Sequence, residues 1–311
     1  MITVFLNKHA AGARGLLKWQ RLINKKKIEA IKDALIIEEE VSIELINILF
    51  KKGVRVFIAA GGDGTVNCLI NCLLHTLTEE QLKTIYFGAI GIGSSNDFHK
   101  PIINDDLIAI DSNKAYSRDL LKIDYLDTNG ISHTRYAFLN VSLGFCAQAN
   151  KLFNTQATLL SWLKKINTNL AIFYSIVQTI FTYSPLKNIH ISTYSNKQVA
   201  SYPIQHLGNL HIVKSNHVAG GLYYDNGGLH VTNEFAMHIA SSAYKLHLIT
   251  SLLYLVGGKF HKSKRHQSLL IKNGLVKLNG ALPFFIELDG ELIQIKSATI
   301  SVKANAIRCC S

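Results

Sequence analysis

The chain has 311 residues, and 33 Lys and Arg against 21 Asp and Glu give it a formal net charge of +12. Hydrophobic residues make up 48% of the chain and there are only 4 Pro. This composition excludes disordered and fibrous proteins, because so apolar a chain buries enough surface to offset its folding entropy. The length predicts roughly two domains, since one hydrophobic core usually stops growing near about 250–300 residues.

The cellular setting is indicated by the Cys residues and by the apolar segments. Five Cys, an odd and sparse set, are typical of a reducing cytosol and not of a disulfide scaffold. No apolar run reaches the roughly 20 residues that a membrane-spanning helix needs, and residues 1–7 resemble a first strand more than a signal peptide. We therefore expect a cytoplasmic protein.

In chain order, residues 1–122 predict strands that alternate with helices. Apolar runs predict strands at 2–6, 34–37, 54–60 and 85–90, and helical periods lie at 16–31, 42–52 and 66–77. Ser42 is a plausible N-cap for the second of these helices. Buried strands that are linked by helices are typical of a parallel α/β sheet.

Beyond residue 122 the pattern changes to short alternating runs, which predict antiparallel strands. The predicted strands lie at 121–126, 133–143, 189–194, 205–213, 229–231, 268–271, 275–278, 284–288 and 292–302. Helical stretches at 157–183 and 235–255 interrupt them. We expect the second part to be mainly β with helical insertions.

The most informative local feature is the segment AAGGDGTVN, residues 59–67, between a predicted strand and a predicted helix. Its three glycines permit positive φ angles and allow backbone N–H groups to approach an anion, and the following helix adds its positive end. The alternative is a plain strand-to-helix turn with Asp63 or Thr65 as the N-cap. A carboxylate among phosphates is repulsive unless a cation bridges them, so Asp63 favours a nucleotide with Mg²⁺.

A second polar loop, GIGSSNDF at residues 91–98, follows the next predicted strand. Ligands of open α/β sheets bind at the carboxyl ends of the strands, so both loops can face one crevice. Ser94 and Asn96 are candidate donors to phosphate or base, and Asp97 is a second acid. A turn without a ligand remains the alternative for this loop.

These two motifs together resemble the catalytic domain of the diacylglycerol kinases, the sphingosine and ceramide kinases and the bacterial soluble lipid kinases. Further matches continue in the same order: Asn7 with Gly12 after the first strand, Asp124 in the strand at 121–125, FLNVSLGF at 138–145 and Asp-Gly-Glu at 289–291. Lys8 stands where the family usually has proline.

The resemblance implies a Rossmann-like nucleotide-binding domain of the NAD kinase and diacylglycerol kinase type, followed by an antiparallel β-sandwich. The expected boundaries are 1–122, completed by a C-terminal strand at 300–311, and 123–299 for a lipid-substrate domain with the helical insertion near 157–183.

The implied activity is transfer of the γ-phosphate of ATP to a lipid hydroxyl, with Mg²⁺. The acceptor that the resemblance implies first is diacylglycerol, which would give phosphatidic acid. The implied roles form three sets. Glu291 is the base and Asp289 assists it or holds metal. The nucleotide is bound by Asn7, Gly12, Gly61, Gly62, Asp63, Gly64, Thr65, Asn67, Ser94 and Asn96. The metal set is Asp63, Asp97, Asp124 and Asn226.

Two of these assignments have alternatives in the sequence itself. The Asp-Gly pair inside IELDGELIQI predicts a type I′ hairpin, which is a structural reading that is compatible with a catalytic Glu291 at its tip. Asn226 stands where the family often has an acid, so an additional metal site there is in doubt, although an Asn carbonyl ligates weakly.

The partner expected is a lipid substrate at a membrane surface, contacted peripherally, and no nucleic acid; monomer and homodimer both stay open. Apolar residues of the stretch 159–181 are read as core, or, if exposed, as a lipid-entry surface beside Lys164, Lys165 and the basic stretch 259–265. Alternative functions are a sphingosine or other long-chain alcohol kinase and a non-catalytic nucleotide- and lipid-binding regulator. An NAD kinase would show Asn-Glu soon after GGDGT, whereas here that pair is Asn233-Glu234.

Overall fold

The computed structural model describes residues 1–94, 96–99, 107–154, 158–166, 168–218, 222–225, 232–242 and 244–311. The chain divides into two compact units: unit 1 comprises residues 1–119 and 305–311, and unit 2 comprises residues 120–304. None of the described helices is long and apolar enough to cross a membrane.

The secondary structure is mixed, with much sheet. The strands are β1 (Ile2–Leu6), β2 (Leu35–Ile37), β3 (Val56–Gly61), β4 (Tyr86–Gly91), β5 (Ile108–Ala109), β6 (Tyr116–Asp127), β7 (Ser132–Ala137), β8 (Asn140–Gly144), β9 (Leu186–Ser195), β10 (Gln198–Val213), β11 (His217–Val218), β12 (Leu222–Tyr223), β13 (Glu234–Ser241), β14 (His266–Lys272), β15 (Leu275–Leu288) and β16 (Glu291–Cys309). The α-helices are α1 (Ala10–Ala13), α2 (Gly15–Asn24), α3 (Ile43–Lys51), α4 (Asp63–Thr76), α5 (Glu79–Leu82), α6 (Phe145–Asn154), α7 (Thr158–Ile166), α8 (Thr168–Thr182) and α9 (Lys245–Val256).

Unit 1 is built on a parallel sheet in the order β2-β1-β3-β4. The antiparallel β5 extends it beyond β4, where Cys309 at the end of β16 also pairs with Phe87 in parallel. Val4, Ile58 and Ile90 are fully buried and pack against Trp19 of α2. The four predicted parallel strands are confirmed. Strands β1, β3 and β4 are mostly buried and show as continuous apolar runs in the sequence, whereas β2 is a short apolar run at the exposed edge of the sheet.

The end of one helix in unit 1 differs from the prediction. The helix predicted at 16–31 ends at Asn24, and a separate 3-10 turn follows at Glu29–Ile31. Between them lies a run of three Lys in which Lys26 has a φ of 54°, and adjacent like charges with a left-handed residue end a helix. By contrast Ser42 caps α3 as predicted, since its side chain accepts the Leu45 N–H at 3.2 Å.

Unit 2 is mainly antiparallel sheet. Strands β8, β10, β9 and β15 form a closed circuit of pairings, because the long β10 and β15 each change partner along their length. Strands β13 and β14 extend the sheet outward from β10, while β16 pairs with β15 and β6 pairs with β7. The inward side chains form one apolar core that includes Leu143, Leu210 and Ile286.

Several predictions for this unit were wrong. The helix expected at 235–255 is strand β13 followed by helix α9, since Phe235, Met237 and Ile239 are buried in the sheet. By contrast the helical stretch predicted at 157–183 is confirmed as α7 and α8, although α6 before them was not predicted. The two strands expected at 275–288 are one strand with an irregular register between Asn279 and Phe284, around Pro283. The strand expected at 229–231 lies outside the described residues.

Candidate functional site

The glycine loop of unit 1 joins the carboxyl end of β3 to the start of α4. Helix α4 begins at Asp63 with Gly62 as its N-cap, so neither Asp63 nor Thr65 caps it. None of Gly61, Gly62 and Gly64 has the positive φ angle that glycine permits. A Cβ on Gly61 would lie 2.2 Å from Thr65 Oγ1, whereas one on Gly64 would meet nothing within 4 Å.

The second loop of unit 1 touches the first one backbone to backbone. A Cβ on Gly93 would lie 2.3 Å from the Cα of Gly62, so only glycine fits at this crossing. The Gly93 N–H donates to the Gly61 carbonyl at 3.0 Å and to Asn96 Oδ1 at 2.9 Å. The predicted meeting of the two loops at one edge of the sheet is thus seen within unit 1.

Asp63 holds the two loops together. One oxygen of its carboxylate accepts the Asp97 N–H at 3.1 Å, and the other accepts the Phe98 N–H at 3.0 Å. A carboxylate in the first turn is also favoured by the positive end of α4. The structure therefore gives Asp63 a positioning role, and its assignment as a metal ligand stays a prediction.

The remaining predicted residues of the second loop are in different environments. Asn96 is 6% exposed and has a φ of 51°, a conformation that Asn tolerates better than most residues. Asp97 is buried and Ser94 is exposed. Ser95, named with this motif, lies outside the described residues.

Lys18 on α2 is a residue of this site that the sequence analysis missed. Its Nζ donates to the carbonyl of Gly93 at 2.6 Å. Burial, with the charge of Arg14 as a second cause, lowers the pKa of Lys18. Its helical period was visible in the sequence, but its partner is 75 positions away.

The loop after β1 brings a further amide to the glycine loop. Asn7 Nδ2 donates to Thr65 Oγ1 at 3.0 Å, and the Asn7 N–H donates to the carbonyl of Ala60 at 2.9 Å. Gly12 has a φ of 68°, between Ala11 at 54° and Ala13 at 68°. A left-handed conformation costs a residue with a Cβ about 1–2 kcal/mol, so this loop is strained beside the site.

Asn67 differs from the other predicted nucleotide ligands. It lies in the second turn of α4, is 1% exposed, and accepts the Asn71 Nδ2 on its carbonyl at 2.9 Å and on its side-chain oxygen at 3.0 Å. These two contacts lie inside the helix that carries the glycine loop, and a contact of Asn67 with the nucleotide stays a prediction.

In unit 2, Asp289 and Gly290 form the predicted tight hairpin between β15 and β16. Their φ angles are 48° and 100°, and Leu288 pairs with Glu291, as a two-residue type I′ turn requires. The Asp289 carboxylate is buried and accepts three backbone N–H groups, from Phe138 at 2.5 Å and from Leu139 and Asn140 at 2.9 Å each. Asp289 therefore anchors the hairpin to the segment before β8.

Glu291, the next side chain along, is more accessible. Its carboxylate forms an ion pair with Arg135 of β7, and its side chain is 39% exposed. Helix α6 holds the tip of the hairpin. Asn150 Nδ2 donates to the Gly290 carbonyl at 2.8 Å, and Asn154 Nδ2 donates to the same carbonyl at 3.2 Å. Arg135, Asn150 and Asn154 were not found from the sequence.

Asp124 has partners other than those of Glu291. Thr134 Oγ1 lies 2.6 Å from its carboxylate and Lys122 Nζ lies 2.9 Å from it. Burial alone would raise the pKa of Asp124, but the hydrogen bonds from Thr134 and Lys122 outweigh it and lower that pKa.

The predicted metal set is not gathered into one cluster in the part of the chain that the structure describes. There, no three His, Cys, Asp or Glu side chains lie close enough together to hold a metal ion. Asn226, the fourth member of the set, falls outside the described residues.

The family comparison concerns the region that carries the glycine loops. Residues 1–126 match the model of the diacylglycerol kinase catalytic domain. Residues 1–126 are therefore similar to that catalytic domain, which supports a protein of the lipid kinase kind. A comparison with curated proteins found no match.

Solved structures share the fold over nearly the whole chain. Two crystal structures of a provisionally assigned diacylglycerol kinase from Bacillus anthracis str. Sterne superpose with TM-scores of 0.69 and 0.68, each at 14% sequence identity. Both cover 99% of this chain, and 94% and 96% of their own. A diacylglycerol kinase structure from the same organism has a TM-score of 0.58 at 14% identity over 91% of this chain and 87% of its own. At this identity the likeness establishes the fold.

Proposed function

We propose that this protein is an ATP-dependent lipid kinase that transfers the γ-phosphate of ATP to the hydroxyl of diacylglycerol and releases phosphatidic acid. One observation in unit 1 carries the proposal. The loops that follow β3 and β4 cross at Gly62 and Gly93 and are clamped by Asp63, at the amino end of α4. A sheet edge with glycine backbone and a helix N-terminus is suited to phosphate groups.

The nucleotide would bind through backbone N–H groups at the start of α4, where the first turn of a helix leaves its donors without intrahelical partners. Asn7 and Thr65, which are hydrogen-bonded to each other, place polar side chains beside this turn. Lys18 stabilises the second loop by donating a hydrogen bond to the Gly93 carbonyl. These groups bind and orient the nucleotide, and positioning supplies much of the rate in phosphoryl transfer.

The cation expected with ATP is Mg²⁺, which neutralises charge on the phosphates. Mg²⁺ usually keeps several waters and takes one or two protein carboxylates, so it needs no cluster of three. Asp97 and Asp124 supply hard oxygen donors of the right chemistry. Both oxygens of Asp63 accept backbone N–H groups. Asp63 is therefore better suited to fixing the shape of the loop than to binding the cation by itself.

Glu291 is proposed as the base that accepts the proton of the lipid hydroxyl. It is the partly exposed carboxylate of the Asp-Gly-Glu hairpin, and Arg135 fixes its orientation. Asp289 is proposed as the anchor that holds this hairpin, because its carboxylate already accepts three backbone N–H groups. General base catalysis of this kind contributes about 10²–10⁴-fold to the rate.

The proposal is tested by transfer of labelled γ-phosphate from ATP with Mg²⁺ to diacylglycerol, sphingosine, ceramide and NAD, the lipids being presented in mixed micelles. We expect label in diacylglycerol and a loss of at least about 100-fold in kcat for Glu291→Gln. Glu234→Gln is the matched control, because Glu234 is also paired with a cation, Lys272 at 2.9 Å, and lies in another strand.

The other outcomes are equally definite. Label in sphingosine or another long-chain alcohol keeps the chemistry and changes the acceptor, whereas label in NAD overturns the lipid assignment. ATP binding with no transfer to any acceptor would support the regulatory alternative. Full activity of Glu291→Gln would remove Glu291 from the reaction.

A further inference from the structure

Helix α8 has the reverse of the usual burial pattern of a surface helix. Its buried positions, one turn apart, are the small residues Ala171, Ser175 and Thr179, each at most 1% exposed. Large apolar side chains point outward, with Phe173 at 65% and Phe181 at 71% exposure. A surface helix normally turns its apolar stripe to the core, so the outward face of α8 is suited to an apolar environment.

The buried hydroxyl groups of α8 do not form the hydrogen bonds to other helices that would account for their burial. Ser175 Oγ donates to the carbonyl of Ala171 at 2.9 Å, and Thr179 Oγ1 donates to the carbonyl of Ser175 at 2.7 Å. Both hydroxyls are therefore satisfied within α8 itself, and their small size permits close packing on the protein side. Ile176 and Ile180 are partly buried against the core, whereas Phe173 and Phe181 are left outside.

The apolar surface continues on both neighbouring helices of unit 2. On α7, which packs against α8, Trp162 is 57% exposed, and on α9 Leu246 and Leu253 are 68% and 65% exposed. Lys245 donates to the carbonyl of Phe181, which joins the start of α9 to the end of α8. We call Trp162, Phe173, Phe181, Tyr244, Leu246 and Leu253 the helix face. Several large exposed apolar side chains on helices that contact each other indicate an interaction site.

The charged residues of α7, α8 and α9 are all basic. No Asp or Glu occurs between Asp127 and Asp225, and none between Glu234 and Glu287, so the three helices carry no acidic residue. Exposed Lys and Arg side chains follow α9 closely, at Lys259, Lys262 and the pair 264–265. The occupant of the face must accept apolar side chains and supply negative charge.

We propose that the helix face docks on an anionic lipid bilayer, with α8 and α9 lying in the plane of the interface and the basic segment 259–265 against the headgroups. Amphipathic helices bind membranes in this way, by buried apolar area plus attraction to anionic lipid. A second copy of the chain fits less well, because the same cationic surface would meet itself. The inference rests on the proposed function in that the bilayer would present the lipid acceptor.

The test is sedimentation of the full chain with phosphatidylcholine vesicles and with vesicles that also contain phosphatidylglycerol, in the absence of ATP. We expect binding to the anionic vesicles only, weakened by added salt. The double variant Phe173→Ser/Phe181→Ser and the double variant Lys262→Glu/Lys264→Glu should each lower the vesicle affinity about tenfold or more.

Matched controls use the same changes elsewhere. Val199→Ser removes an apolar side chain that is 65% exposed on β10, and Lys25→Glu/Lys26→Glu makes the same charge change in unit 1. Both should bind vesicles within about twofold of the unchanged protein. Circular dichroism melting curves check that each variant is folded, and Phe173→Ala/Phe181→Ala replaces the double Ser variant if the latter unfolds.

Three results would overturn the proposal: equal binding to neutral and anionic vesicles, no vesicle binding at all, or helix-face variants that bind like the controls. A dimer in sedimentation velocity that Phe173→Ser/Phe181→Ser dissociates would assign the face to a second copy. Turnover of a dispersed short-chain diacylglycerol is measured separately. Vesicle binding without turnover would refute the kinase proposal alone, and turnover without vesicle binding would refute the docking proposal alone.

Discussion

Replacement of Asp289 by Ala should destabilise unit 2 strongly, because it removes the acceptor of three backbone N–H groups. Each buried donor without a partner costs about 1–3 kcal/mol, and these donors come from Phe138, Leu139 and Asn140. Ala at a φ of 48° adds about 1–2 kcal/mol. Even the lower limits give about 4 kcal/mol, a large share of the usual 5–15 kcal/mol that is roughly the stability of a folded protein.

The variant Asp289→Asn distinguishes the effect of losing the carboxylate on stability from the effect of the positive φ angle. Asn tolerates positive φ and keeps the oxygen that accepts the Leu139 and Asn140 N–H groups, while its amide nitrogen would face the N–H of Phe138. One donor is then lost, so we expect about 1–3 kcal/mol. Glu291→Gln breaks only a partly exposed ion pair, which is worth at most about 1 kcal/mol.

The assay is urea unfolding followed by circular dichroism, together with amide hydrogen exchange of residues 138–140 by mass spectrometry. The order of stability should be unchanged protein, then Glu291→Gln, then Asp289→Asn, then Asp289→Ala. Exchange at 138–140 should accelerate in both Asp289 variants. If Asp289→Ala unfolds at the same urea concentration as the unchanged protein but has lost activity, Asp289 is a reacting group and the anchor argument is refuted.

Two further predictions concern pH and the crossing of the loops. Burial lowers the pKa of His211 to about 4, and burial with the nearby His211 lowers that of His238 to about 3. An unfolded His titrates near 6.5, so the unfolded state binds protons first and stability falls from about pH 6.5 towards pH 4, by about 2 kcal/mol for each His at pH 5. Equal urea midpoints at pH 7.5 and pH 5 would contradict this. Gly93→Ala places a Cβ 2.3 Å from the Cα of Gly62, whereas a Cβ on Gly64 meets nothing within 4 Å. Gly93→Ala should therefore lower the midpoint of thermal unfolding, and Gly64→Ala should not. Equal midpoints for the two variants would refute the close approach of the two loops.

The features that were predicted correctly from the sequence depend on local signals. Strands β1, β3 and β4 appear as apolar runs because they are buried within the sheet. The N-cap Ser42 and the Asp-Gly turn at 289–290 depend on contacts within a few residues. Strand β13 was mistaken for part of a helix because it is buried on both faces, so its apolar run has no period of two.

The helix face could be described from the sequence only as two alternatives, core or lipid-entry surface. Phe173 and Ser175 have no sequence signal that says which of them faces the protein, and the structure shows the larger one outside. The residues that were missed, Lys18 and Arg135, act on partners 75 and 156 positions away. Such pairs exist only after the chain has folded.

By itself the sequence determined that a glycine-rich loop follows a buried strand, and that a tight hairpin carries two carboxylates, because turn chemistry and burial patterns are local. Only the tertiary structure decided what each carboxylate does. Asp289 and Glu291 are two residues apart, yet the first is enclosed by three N–H groups from the segment before β8 and the second reaches solvent beside Arg135. The environment of a side chain is set by groups from distant parts of the chain, and no local pattern records it.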